Sequence, residues 1–269
     1  MQLIFINKKA QLLAKFLLIC FLIFPGFSSA QMAAPNAMGS AMGHIHFMAE
    51  DISAANQFWT DLGAQEVQWG PLSIHVVPNV RILTIEQKPN HDSIETVVNH
   101  LGFTVSDLGD ATARWQAAGI HVEEDTNTDS LWVIAPEGAR IQIEENPGQA
   151  EPLVFQHVHW SVQDVEAVRN WYTEMFGAMP GSSADYLNAM LPGGNLIFSH
   201  SEEELLPTEG NALDHIGIEV VDLRATISHM QANGTIFDTE YDEVPGFVAY
   251  VLLKDPWGTR LEITQDLAP

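Results

Sequence analysis

The chain has 269 residues, 46% of them hydrophobic, with a single cysteine and 35 acidic against 11 basic side chains, for a formal charge of −24 at neutral pH. Such a length can bury a substantial core without disulfide support. The strong acidity opposes binding to nucleic acid and to anionic lipid.

Residues 1–30 read as a secretory signal. Lys8, Lys9 and Lys15 precede an apolar run from Phe16 to Phe24, and Ser28-Ser29-Ala30 puts small residues at −3 and −1 of a cleavage after Ala30. The run is short for a membrane span and is followed by Pro25-Gly26. Cys20 lies inside it behind Ile19, a poor setting for lipid attachment. The expected product is a periplasmic or secreted chain with no membrane anchor and no thiol. Loss of three lysines and no acidic residue takes its formal charge from −24 to −27.

Beyond the signal, a histidine stands seven residues ahead of an aspartate four times: His44 to Asp51, His100 to Asp107, His157 to Asp164 and His215 to Asp222. The histidines are 56, 57 and 58 residues apart, which marks repeated supersecondary units. Each unit reads as a strand, a helix and three strands. Each aspartate stands where a helix N-cap belongs, and the glycines about twelve residues later suit its C-terminal end. In the fourth unit the three strands are expected over 235–237, 247–253 and 260–264.

The units alternate. Units one and three open with His44-Ile45-His46-Phe47 and His157-Val158-His159-Trp160, and their helices end at Gly63-Ala64 and Gly177-Ala178. Units two and four open with His100-Leu101-Gly102-Phe103 and His215-Ile216-Gly217-Ile218, and their helices end at Ala118-Gly119 and Asn233-Gly234. An A-B-A-B order of this kind suggests two domains, with the polar, Pro- and Gly-bearing stretch 146–152 as linker.

With this repeat and these motifs, residues 41–267 resemble the vicinal oxygen chelate superfamily, which includes glyoxalase I, extradiol dioxygenases, and fosfomycin and bleomycin resistance proteins. The resemblance implies an α+β fold of four βαβββ modules in two paired domains with curved mixed sheets. Residues 39–148 would form an N-terminal, non-catalytic domain from modules one and two. Residues 152–267 would form a C-terminal domain from modules three and four that holds the metal. It also implies a small-molecule substrate and one divalent ion, Fe, Mn, Zn or Ni; the chain is compatible with an oligomer.

The family draws its ligands from the first-strand histidine of each paired unit and an acidic residue on the last strand. Here the resemblance implies His157, His215 and Glu262. Glu262 lies between Leu261 and Ile263, so on a strand it faces away from both. The N-terminal domain has Gln142 where the C-terminal one has Glu262, with Glu144 on the same strand face as a substitute. A fourth ligand used by some members would fall at Phe198 or Thr84, neither of suitable type, leaving His200 as a replacement. Catalytic roles are expected for Glu262 as base, His159 as general acid–base or supporting donor, and Tyr250 as a hydrogen-bond donor. Trp69, Trp160 and Trp171 are read as core or cleft lining.

The resulting expectation is a glyoxalase-like metalloenzyme of lyase or isomerase type acting on a vicinally oxygenated substrate. Two alternatives stand beside it: a ring-cleaving extradiol dioxygenase, and a protein that sequesters a small molecule without turnover. Asn195 and Leu196, where extradiol enzymes usually carry a histidine, weigh against the dioxygenase.

Overall fold

The computed structural model describes residues 31–70, 72–125, 130–183 and 186–267; residues 1–30, on which the expected secretory signal falls, lie outside them. Module one contains β1 (Ser40–Ala49), α1 (Ile52–Leu62), β2 (Gln65–Trp69), β3 (Leu72–Val77) and β4 (Val80–Glu86). Module two contains β5 (Val98–Val105), α2 (Leu108–Ala117), β6 (Val122–Glu124), β7 (Ser130–Ile134) and β8 (Arg140–Glu145). Module three contains β9 (Val154–Val162), α3 (Val165–Phe176), β10 (Met179–Ser182), β11 (Leu187–Leu191) and β12 (Gly194–His200). Module four contains β13 (Leu213–Val220), α4 (Leu223–Ala232), β14 (Asp242–Val244), β15 (Val248–Lys254) and β16 (Arg260–Gln265).

Local chemistry sets each helix. Asp51, Asp107, Asp164 and Asp222 are N-caps whose carboxylates accept from the amides of Ala54, Asp110, Ala167 and Ala225. In α1 the buried residues Ala55, Phe58, Trp59 and Leu62 fall on one stripe at helical spacing, and α3 buries Val168, Tyr172, Met175 and Phe176 in the same way. Gly177 closes α3 in the left-handed conformation that a Cβ would disfavour. The first of the three strands expected in module four is displaced. Thr235 N still bonds Met230 O at the end of α4, and the hairpin partner of β15 is Asp242–Val244.

Two eight-stranded mixed sheets result, and they do not pair the modules in chain order. One sheet runs β14-β15-β16-β13-β1-β4-β3-β2 and joins modules one and four. The other runs β10-β11-β12-β9-β5-β8-β7-β6 and joins modules two and three. The antiparallel pairs β1–β13 and β5–β9 are the seams. The expected division into domains 39–148 and 152–267 is therefore corrected: each sheet takes half its strands from either side of the linker, and 146–152 is a loop between β8 and β9 of one sheet.

Consecutive modules meet through their helices instead. Trp115 of α2 donates from Nε1 to Leu62 O at the end of α1 (3.1 Å), and Trp59 lies against Phe103. Between modules three and four, Tyr172 donates to Asp255 Oδ2 (2.9 Å) and Trp160 Nε1 to Thr259 Oγ1 (2.9 Å). One continuous apolar core fills the space on this side of both sheets. No described helix is long and apolar enough to cross a membrane.

Candidate metal centre

Alternation on β1 sends Ile45 and Phe47 into the core and His44 and His46 to the opposite face. On β13, paired with β1, Ile216 and Ile218 are core residues while His215 faces with His44 and His46. Glu262 occupies the same face of β16 between the core residues Leu261 and Ile263. The turn before β16 is locked by the buried Asp255, whose Oδ1 accepts from the amides of Trp257 and Thr259. Module three thus braces, through Tyr172 and Trp160, the turn that delivers Glu262.

Glu262 Oε2 lies 2.8 Å from His44 Nε2 and 3.1 Å from His215 Nε2. The donor atoms of His44, His46, His215 and Glu262 all fall within 4.8 Å of one another. Two ligands bound at about 2.1 Å and at right angles to one ion are about 3 Å apart, so the spacing suits a shared cation. His44 and His215 are buried, and the Glu262 side chain is 15% exposed.

The surroundings fix ring orientation and charge. His215 Nδ1 is 2.5 Å from Asp214 Oδ2, a fully buried carboxylate that also accepts from Gly210 N and pairs with Arg260 at 3.1 Å. A carboxylate only accepts, so His215 donates from Nδ1 to Asp214, which turns Nε2 toward Glu262; a carboxylate on Nδ1 is an arrangement metal-binding histidines commonly use. Burial opposes a charged His215, but its bonds to Asp214 and Glu262 outweigh that and raise its pKa. Burial also opposes ionisation of Glu262, yet the bonds from His215 and His44 hold its pKa well below the usual carboxylate range. Burial and the neighbouring His215 and His44 push His46 far down, so it is neutral. Nδ1 of both His44 and His46 is buried without a hydrogen-bond partner among the described residues. Three imidazoles and one ionised carboxylate fit a divalent first-row ion, and His44, His215 and Glu262 would hold it, with His46 beside them.

The expected triad is corrected by the module pairing. His215 and Glu262 are together, but His157 is in the other sheet, and His44 takes its place. His157 instead meets His100 and His159, whose donor atoms also cluster within 4.8 Å. The catalytic role expected for His159 at Glu262 is therefore lost: His159 Nε2 bonds Ser199 Oγ at 2.6 Å in the second cluster. The N-terminal half likewise ceases to be a separate non-catalytic unit, since β1 supplies the histidine that completes the acidic site. Tyr250 does lie on the Glu262 face, opposite Thr264 in the β15–β16 ladder, but its hydroxyl donates to Asp242 Oδ2 at 3.1 Å. That bond, with burial next, raises the Tyr250 pKa.

Glu144 accepts from Gln156 Nε2 (2.7 Å) and does not reach the histidines as a ligand. Phe198 is core, and His200 is exposed and bonds Gln163 O. Trp160 is core, Trp171 packs against it from α3, and Trp69 stands at the far edge of the first sheet against Phe247. Asp214 and the role of Gly217 escaped the sequence reading. The signal was present in the comparison of Asp214-His215-Ile216-Gly217 with Asn99-His100-Leu101-Gly102. A Cβ at Gly217 would overlap the ring of His44, and one at Gly102 the ring of His157, so both glycines make room for an imidazole across the seam.

Fold and site define a protein of paired βαβββ modules with an imidazole–carboxylate cluster, of a composition that could hold a metal ion, on a sheet face. Residues 154–263 match the model of the Glyoxalase/Bleomycin resistance protein/Dioxygenase superfamily. The structure is similar to glyoxalase I from Zea mays, with a TM-score of 0.67 at 15% identity over 84% of this chain and 92% of that one. It is also similar to a putative dioxygenase from Bacillus subtilis subsp. subtilis str. 168, with a TM-score of 0.61 at 12% identity over 88% and 86% of the two chains. At these identities the likeness is one of fold. No curated protein matches the sequence.

Proposed function

We propose that the chain is an exported metalloenzyme that acts on a small, vicinally oxygenated organic substrate by lyase or isomerase chemistry at the His44–His215–Glu262 centre. The observation that carries the reading is the convergence of Glu262 Oε2 with His44 Nε2 and His215 Nε2. A divalent ion bound there would supply electrophilic stabilisation of negative charge developing on a substrate oxygen. Asp214 holds His215 in its ligating orientation. Glu262, the sole carboxylate among the clustered donors, is the proton acceptor. Leu83 beside His46, with Val76 and Ile74 on the next strand and Val67 and Trp69 packed on them, makes that flank of the site largely apolar, with the buried Arg81 opposite His44 as its charged member.

The test is metal-dependent exchange of the proton α to the carbonyl of an α-hydroxycarbonyl compound, followed by NMR in deuterated water. Exchange should require added metal and vanish in Glu262→Gln; metal-loaded protein inert toward a panel of such compounds would sink the proposal. The two-histidine, one-carboxylate set also favours a second reading, a ring-cleaving dioxygenase, which oxygen uptake with catechols would reveal. Tight binding without turnover would indicate sequestration. Export is part of the proposal and rests on residues 1–30; a mature N-terminus at Gln31 would support it.

A further inference from the structure

The second sheet repeats the metal centre with its acids exchanged for amides. His157, His159 and His100 stand where His44, His46 and His215 stand, Gln142 replaces Glu262, and Asn99 replaces Asp214. We infer that this cluster is a second metal site, formed by His100, His157 and His159, that takes a nitrogen-preferring late first-row ion such as zinc or copper and discriminates against manganese.

Ring orientation is the first support. Gln156 Nε2 donates to Glu144 Oε2 at 2.7 Å, and because a carboxylate only accepts, this fixes which end of the amide faces the histidine. Gln156 Oε1 then accepts from His157 Nδ1 at 2.7 Å, so the proton of the neutral ring is on Nδ1 and Nε2 carries a lone pair. His100 Nδ1 lies 2.9 Å from Asn99 Oδ1. The two Nε2 atoms face each other at 3.3 Å in a buried setting. His157 Nε2 thus turns a lone pair into the cluster, where it is available to a cation shared with His100. The rings of His100 and His157 are close to perpendicular, at 80°, and His159 closes the third side with its ring 4.4 Å from that of His100.

Donor chemistry supplies the selectivity. Three neutral imidazoles contribute no charge, and the amide of Gln142, which donates to Ser130 Oγ at 3.1 Å, is a poor substitute for a carboxylate. Hard ions such as Mn2+ and Mg2+ depend on anionic oxygen, whereas nitrogen-only sites follow the order that ends in nickel, copper and zinc. The nearest fixed cation, Arg140, is held over the Trp132 ring at 3.6 Å, and that ring meets His100 edge-on. Its charge further disfavours ions that bind by Coulomb attraction alone.

Calorimetric titration of the chelator-stripped chain tests this without any variant. Two equivalents of Zn2+ and one of Mn2+ are expected. His157→Ala and His159→Ala should each drop Zn2+ to one equivalent and leave Mn2+ unchanged. Glu262→Gln should lose Mn2+ but retain Zn2+, and the His44→Ala/Glu262→Gln double variant, whose first centre is dismantled, should keep one Zn2+ and, loaded with Cu2+, show nitrogen splitting in its EPR spectrum. A single Zn2+ equivalent in the unaltered chain overturns the inference, as does a second that survives both histidine replacements in folded protein. The Mn2+ arm reports separately on the centre of the proposed function.

Discussion

Asp214 and Asn99 show how much one atom decides. Both bond Nδ1 of the following histidine, but Asp214 is ionised and paired with Arg260, whereas Asn99 is neutral. Asp214→Asn should therefore weaken metal binding at the acidic centre about 10- to 100-fold with little change in fold, measured by competition with a chelator. The second cluster also makes stability depend on pH. Burial, with the neighbouring His159, pushes His157 down to about 3, and burial pushes His159 down to about 4. The unfolded chain, with ordinary histidines near 6.5, binds more protons below that value than the folded one. Stability is then full above about pH 6.5 and falls on acidification toward pH 4, by up to about 1.4 kcal/mol per pH unit for each histidine. Melting temperatures of metal-free protein between pH 7 and 5 should decline, and less steeply in His159→Gln.

Elements impose a second level of constraint, because each imidazole must lie across a neighbouring strand. Gly217 is not in a strained conformation; it is glycine because the His44 ring occupies the place of a side chain. Gly217→Ala should abolish Mn2+ binding and lower stability by about 1–3 kcal/mol through overpacking. The matching change Gly102→Ala should spare Mn2+ binding, a contrast that calorimetry on the two variants resolves. The helices were easy to foresee, since N-cap aspartates and buried stripes are local signals. Short edge strands were harder: the expected strand at 235–237 gave way to Asp242–Val244, because Thr235 remains bonded to the end of α4.

For the whole molecule, the pairing of modules matters most. Both sheets draw strands from either side of the loop 146–152, so cutting the chain there should not divide it. A protease site inserted at the exposed tip of that loop and cleaved to completion should leave two fragments that co-elute in native gel filtration. They should keep Mn2+ and separate only in denaturant; separation under native conditions would contradict the β1–β13 and β5–β9 seams.

The sequence by itself determined the repeat, the caps, the strand faces and the family fold, because these follow from residue periodicity and from motifs within a module. It also determined that His215 and Glu262 share a site, since both belong to module four. Only the tertiary structure decided that their partner is His44 and not His157. The opening strands His44-Ile45-His46 and His157-Val158-His159 are nearly interchangeable as partners for β13, so no local feature distinguishes them. The choice lies in contacts far apart in sequence: Trp115 with Leu62 O ties module two to module one, and Tyr172 with Asp255 ties module three to module four, while the seam strands pair across the two halves of the chain.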